Sequence, residues 1–253
     1  MTFNNIEQSQ CLLRMGDTCL ILGHRMSELM GHAPVLEEDL SIANIALELI
    51  DQARAWLTLA GNLEAAGRNE DDLAYLRNEH EFFNATLAEQ PNGHFGDTVV
   101  RQLLLSCWQH QWYHQARSSA HPEVAALAQQ FSPQAEFHLR WAADWTLRLG
   151  DGTPTSHKRM NKSLPALWRF TGELFESDAL DAKSSAESFT PAPEALLPEW
   201  RTQVLQIIND ATLSPPEERT IRWHGKRGEH GEELGLLLAE MQSLARAHPG
   251  AQW

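Results

Sequence analysis

Apolar side chains recur along most of the chain at alternating steps of three and four residues, which is the period of an amphipathic α-helix. This pattern predicts helices over about 7–30, 36–67, 71–88, 96–120, 122–150, 154–175, 194–211 and 232–247. Gly31 and Pro34 mark the end of the first helix, and acidic residues open the second, where carboxylates stabilise the helix dipole. Strand-like alternation is nearly absent, so the pattern predicts an all-α fold.

The predicted helix over 122–150 has the clearest apolar seam. Its members are Phe131, Ala135, His138, Ala142, Trp145 and Leu149. In four-helix proteins that bind two metal ions through carboxylates, a Glu-x-x-His pair projects inward from such a seam, because positions i and i+3 share one helix face. Here the pair reads Ala135-x-x-His138, so the histidine is present and the carboxylate is replaced.

Composition and charge narrow the function. The chain has 253 residues, 42% of them hydrophobic, which is enough for a substantial core. A formal net charge of −14 opposes binding to nucleic acid and to anionic membranes. No apolar run approaches the roughly 20 residues of a membrane span, and residues 1–7 lack the features of a signal peptide. Cys11, Cys19 and Cys107 form no CxxC pair. Taken together, these features lead us to expect a soluble, reduced, cytoplasmic protein.

Neither a repeat nor a strong shift in composition marks a domain boundary. We therefore expect one domain over residues 1–253, with a core four-helix bundle over about 7–150 and a helical extension over about 154–253. Residues 182–193 are rich in Ser, Ala and Pro and are the best candidate for an internal linker.

Several short segments, taken in order along the chain, carry a resemblance to one known family. They are GDTCL at 16–20, GHAP at 31–34, NIALEL at 44–49, EQPNG at 89–93, LWRFT at 167–171, LAEMQ at 238–242 and the terminal Trp253. Together they resemble the C subunits of the bacterial phenylacetyl-CoA epoxidases, the multicomponent ring-epoxidising monooxygenases of phenylacetic acid degradation. The similarity covers essentially the whole chain.

This resemblance implies a ferritin-like fold and a place in a larger complex. In the family, the C subunit is the non-catalytic sister of the A subunit, which carries the di-iron site and binds the acyl-CoA. The two subunits form the hydroxylase core, which is served by a small B subunit and by a flavin and iron–sulfur reductase. For this chain the resemblance implies no cofactor of its own and a homologous di-iron subunit as its partner.

The residues at the ligand positions test that implication. Two irons bridged by carboxylates need about four Asp or Glu and two His on inward helix faces. By resemblance, Glu28 on the first helix is a remnant of a ligand. The second helix has lost its motif in either possible register, because it reads Glu48-x-x-Asp51 or Leu49-x-x-Gln52.

The third long helix departs furthest from a metal site, since no Asp or Glu occurs from Thr98 to Pro122. Ser106 stands near the place where the acid belongs. We therefore expect no metal site and no catalytic residue in this chain. The vestigial ligand positions are Glu28, Glu48, Asp51, Ser106, Ala135 and His138.

Two other histidine-containing segments each allow a structural interpretation and a ligand-binding one. His110 and His114 are spaced to bind a metal ion, but the aromatic residues of the 108–113 segment favour a packing or partner surface. The basic loop over 224–230, HGKRGEH, is expected to lie in solvent, with contact to a phosphate or an acidic partner as the alternative.

The leading hypothesis is a structural, metal-free subunit that docks on the di-iron subunit and stabilises it. Candidate segments for its docking surface are 108–113 and 200–208, which the sequence does not rank. The alternative is a di-iron or mixed-metal oxygenase with unusual ligands, namely Glu28, Glu48, Asp51 and His138. A third hypothesis is a haem or small-ligand binder that uses His138 in a dry cavity.

Overall fold

Ten α-helices form in the part of the chain that the computed structural model describes, which is residues 3–217 and 224–251. They are α1 (Asn5–Ser27), α2 (Leu36–Glu64), α3 (Glu70–Tyr75), α4 (Phe95–Ala116), α5 (Pro122–Gly150), α6 (Pro154–Trp168), α7 (Ala179–Ala186), α8 (Pro193–Asp210), α9 (Glu232–Met241) and α10 (Ser243–Ala247). No strand occurs in those residues, so the prediction of an all-α fold is confirmed. Within the same ranges no helix is both long and apolar enough to cross a membrane. Trp253 lies outside the described residues.

The described residues divide into two compact units. The first contains residues 3–91 together with 224–251, and the second contains residues 92–217. A single domain over 1–253, with a core over about 7–150 and an extension over about 154–253, stays a prediction.

The first unit is built on an antiparallel pair, α1 and α2. Gly16 lies against Leu57 and Gly23 lies against Ile50, so positions later in α1 meet positions earlier in α2. A Cβ atom at either glycine would come within 3.0 Å of the facing side chain. The two glycines, seven residues apart on one face of α1, therefore allow the helices to pack closely.

The segment predicted as one helix over 71–88 is instead a short helix, a 3-10 turn and an irregular stretch. Helix α3 ends at Tyr75, and a 3-10 turn follows over Glu79–Glu81. The backbone N–H groups of Phe83 and Ala85 then donate to side chains of α1, namely Asp17 Oδ2 at 2.8 Å and Thr18 Oγ1 at 3.0 Å. Because these bonds satisfy the backbone, the segment does not need a helix.

The second unit packs α6 and α8 against the pair formed by α4 and α5. Trp200 of α8 is buried, and its indole N–H donates to the carbonyl of Leu104 at 3.0 Å. Its ring also lies 5.2 Å from that of Trp168 and 4.8 Å from that of Phe175, between ring centroids. An aromatic cluster thus holds α8 in the core of this unit.

The predicted linker over 182–193 is wrong over its first half. Helix α7 runs through Ala186, and the Asp178 carboxylate caps it by accepting from two backbone N–H groups. Ser184 is buried, and its hydroxyl bonds to that of Thr190 at 2.5 Å. Serine and alanine occur in helices and loops alike, so composition alone did not separate the two.

Candidate functional site

The inward seam of α5 lies where the apolar spacing predicted it. Phe131, Ala135, His138 and Ala142 are buried, while Trp145 and Leu149 are half-buried. Ala135 is 1% exposed and His138 is fully buried. The methyl group of Ala135 therefore occupies the inward position at which a metal-binding protein of this kind has a carboxylate.

Neutral polar side chains lie on the buried face of α4 around the expected ligand position. Ser106, the residue near the expected ligand position, is fully buried and accepts a hydrogen bond from Gln102 Nε2 at 2.8 Å. Gln102 and Gln109 are buried as well. Amide and hydroxyl groups carry no charge, so this face cannot balance the charge of iron ions.

The burial of side chains on α2 shows which of the two registers left open by the sequence faces inward. Leu49 and Gln52 are buried, whereas Glu48 is half-buried and Asp51 is exposed. Gln52 Oε1 accepts from the thiol of Cys19 at 3.7 Å. The inward register is therefore Leu49-x-x-Gln52, which contains no carboxylate and no imidazole.

Glu28 lies at the C-terminal cap of α1 with an exposed side chain. Its carboxylate accepts from Arg25 Nη1 at 2.9 Å and 3.2 Å. Arg25 also donates to the carbonyl of Glu89 at 2.7 Å and 2.9 Å. Glu28 is thus part of an ion pair that helps to hold Arg25 in place.

Taken unit by unit, the residues at these positions do not supply the donors of a carboxylate-bridged di-iron centre. The buried positions hold Leu49, Gln52, Ser106, Ala135 and His138, whereas Glu48 is half-buried and Asp51 is exposed. Within residues 3–217 and 224–251, no group of three or more His, Cys, Asp or Glu side chains could hold a metal ion. That the chain binds no iron stays a prediction.

Two surfaces predicted for partner binding are buried instead. Trp108, Trp112 and Tyr113 of α4 are each at most 9% exposed. Trp200, Val204 and Ile208 of α8 are at most 1% exposed. Both segments had apolar spacing that fits a core as well as an interface, and the core interpretation is correct.

The basic loop over 224–230 does not lie free in solvent as predicted. The side chain of His230 is fully buried; its Nδ1 lies 3.0 Å from Glu89 Oε2 and its Nε2 lies 2.8 Å from the carbonyl oxygen of Phe82. The backbone N–H of Gly231 donates to Glu89 Oε1 at 3.0 Å. Asn84 Nδ2 donates to Glu89 Oε2 at 3.2 Å.

Glu89 is thus the centre of a buried polar cluster that sequence reasoning missed. It joins the C-terminal segment to the loop that follows α3, and only 1% of its surface is exposed. A sequence signal existed, because Glu89 opens the EQPNG segment that contributed to the family resemblance. Such a fully bonded buried carboxylate fixes the conformation of the loops around it.

Comparison with known proteins agrees with the resemblance. The chain matches the family described as "Phenylacetic acid catabolic protein" over residues 4–253. It is 44% identical over 241 residues to the C subunit of the 1,2-phenylacetyl-CoA epoxidase of Escherichia coli (strain K12), which covers 95% of this chain and 97% of that protein. The matched family has a ferritin-like fold, so the predicted fold class is confirmed.

Proposed function

Because this chain belongs to the phenylacetic acid catabolic protein family, we propose that it is a structural component of a phenylacetyl-CoA epoxidase. In this proposal it contributes no metal chemistry. It docks on the homologous di-iron subunit, stabilises that subunit and helps to form the sites at which the other epoxidase components bind. The small B subunit and the flavin and iron–sulfur reductase are its further partners.

One observation carries the proposal, namely the side chains on the buried faces of the ligand-bearing helices. On α2, α4 and α5 the inward positions hold Leu49, Ser106 and Ala135. Each of these helices keeps a buried face, while the position of the acid holds an uncharged group. Such a pattern is expected when selection maintains packing and surface but not metal binding.

The competing function is that of a di-iron or mixed-metal oxygenase with unusual ligands. Its candidates were Glu28, Glu48, Asp51 and His138. Asp51 is exposed and Glu28 is paired with Arg25, so neither carboxylate contributes to a buried donor cluster within its unit. These placements favour the structural role.

The test is co-expression of this chain with the subunit that carries complete Glu-x-x-His pairs. A tag on either chain should recover both in a fixed ratio, because subunits kept for their surface form large, stable interfaces. Epoxidation of phenylacetyl-CoA, assayed with the reductase and the small B subunit, should then require both chains. The role as a structural platform is wrong if the catalytic subunit without this chain reaches the full rate.

A further inference from the structure

Exposed hydrophobic side chains concentrate in one stretch of the chain. In the described part, ten large hydrophobic residues are exposed, and five of them lie between residues 30 and 47: Met30, Val35, Leu36, Leu40 and Leu47. Leu36 is 71% exposed, Leu40 59% and Leu47 65%. A local concentration of exposed leucines is typical of an interaction surface, whereas scattered single ones need no explanation.

These side chains form a regular stripe on α2. Leu36, Leu40, Ala43, Leu47 and Ile50 follow one another at steps of four, three, four and three residues, which is the spacing of a helix–helix seam. At about 100° per residue the five positions lie within about 80° of the helix circumference. We call them the outer stripe.

The three leucines of the outer stripe lie on the side of α2 away from its buried face, whereas Ile50 lies at the edge nearest α1 and packs against Gly23. That buried face is formed by Ile42, Ile45, Leu49, Gln52, Ala53 and Trp56. Helix α2 is therefore apolar on two sides, although packing within its own unit explains only one. A helix with a second apolar face is expected to pack against a further helix.

The charges beside the outer stripe are acidic up to Asp51, and Arg54, one turn beyond Ile50 on the line of the stripe, is the first basic residue. From Ser27 to Ala53 the chain contains no Lys or Arg and six acidic residues: Glu28, Glu37, Glu38, Asp39, Glu48 and Asp51. On the helix circumference Asp39 lies at one edge of the stripe, while Glu37 and Asp51 lie at the other edge. Glu37 and Asp51 are exposed.

This charge pattern argues against a second copy of the chain as the occupant. In a two-fold symmetric pair the same patch faces itself, so two outer stripes packed antiparallel would bring Glu37 near Asp51 of the other copy. Like charges that face each other across a helix pair are destabilising. The complementary occupant is a different chain, with an apolar helix face bordered by Lys or Arg.

We propose that the outer stripe of α2 is the surface on which this chain binds the catalytic subunit of the epoxidase. The inference rests on the proposed function and adds the place and chemistry of the contact. The occupant is an apolar helix face of that subunit with basic residues at its edges. The leucines supply the buried apolar centre of the interface, and the acidic residues at the edges supply orientation and partner choice.

The test compares single leucine-to-glutamate variants on two helices. Leu40→Glu and Leu47→Glu place a charge in the centre of the outer stripe. The matched control is Leu236→Glu on α9, since Leu236 is 69% exposed and lies outside the stripe. Leucine and glutamate both favour helices, so all three variants should fold, and circular dichroism checks this.

Binding to the separately purified catalytic subunit is the readout. We expect Leu40→Glu and Leu47→Glu each to raise the Kd at least about tenfold, and Leu236→Glu to leave it unchanged. A charge reversal, Asp51→Lys, should weaken binding as well, and more so at low salt. The wild-type chain alone should elute as a monomer.

The outcomes separate the inference from its premise. If the wild-type chain and all variants bind the catalytic subunit equally well, the outer stripe is not the interface and the proposed function stands. If the wild-type chain does not bind that subunit, the proposed function and this inference both fail. If the wild-type chain is a dimer that Leu47→Glu dissociates without effect on the catalytic partner, the occupant is a second copy and the inference is overturned.

Discussion

At the residue scale, the first unit depends on buried ion pairs more than its sequence suggests. Asp17 is fully buried and forms a bidentate pair with Arg77, which also donates to the carbonyl of Glu81 at 2.8 Å. The guanidinium of Arg77 lies 4.2 Å above the ring of Phe82. Asp17 thus organises the segment after α3 through both charge and backbone contacts. Asp17 belongs to the GDTCL segment that contributed to the resemblance, but a lone Asp in a helix gives no sign of a partner 60 positions away.

Removing one member of this pair should be costly. We expect Asp17→Asn to lower the free energy of unfolding by about 3–5 kcal/mol, because it leaves the Arg77 charge buried without compensation. The matched control is Glu70→Gln, which breaks the exposed pair with Arg54 and should cost less than about 1 kcal/mol. Urea denaturation measures the free energy of unfolding of both variants. Equal decreases would show that the buried pair stabilises the fold no more than the exposed pair does.

Two histidines should make stability depend on pH. Burial lowers the pKa of His24 and of His110 below the ordinary value of 6.5, so below that pH the unfolded chain binds protons that the folded chain does not. The contribution of these two neutral histidines to the free energy of unfolding is therefore present in full above about pH 6.5 and is lost as the pH falls from there. The free energy of unfolding at about pH 7.5 and about pH 5.5 should differ less for His24→Gln and His110→Gln than for the wild type. Identical pH profiles would contradict this.

At the scale of elements, apolar spacing predicted the long helices and failed where tertiary bonds replace helical ones. The helix predicted over 122–150 is confirmed as α5, Pro122–Gly150. Its bounds could be predicted because a proline begins the helix and a glycine ends it. The segment over 71–88 is not one helix, since Asp17 and Thr18 of α1 take its backbone donors. Those partners lie more than 60 residues away, so no local pattern reveals them.

The end of α2 gives a test of close packing at this scale. A Cβ atom at Gly61 would lie 2.5 Å from the carbonyl oxygen of Arg68. We expect Gly61→Ala to lower the free energy of unfolding by about 1–3 kcal/mol, because the backbone of the following loop must move. This loss opposes the gain of up to about 1 kcal/mol that alanine brings to a helix interior.

The control for this substitution is Asn44→Ala at an exposed position of the same helix. It should be neutral or slightly stabilising, since it gains helix propensity without a new contact. Thermal unfolding of the two variants measures the contrast. A stabilised Gly61→Ala variant would show that the loop after α2 adjusts freely.

At the scale of the whole molecule, the fold class predicted from the sequence is confirmed, whereas the absence of a metal site stays a prediction. The placement of the acids needed the structure, because Glu48 and Asp51 lie close to the buried face in sequence but not on it. The candidate partner surfaces were wrong for a related reason. Apolar spacing identifies an apolar helix face, but it does not show whether the same chain buries that face. The exposure of the side chains in the structure shows that the apolar faces of α4 and α8 are buried, whereas the leucines of the outer stripe of α2 are exposed.

The central claim is that this chain serves the epoxidase through its surface and not through a metal. The most direct measurement is the iron content of the purified chain, expressed alone in iron-supplemented medium and compared with His138→Leu. We predict no stoichiometric iron in either protein, because the inward positions of α2, α4 and α5 hold no carboxylate. Iron near about one equivalent or more per chain, lost in His138→Leu, would contradict the account.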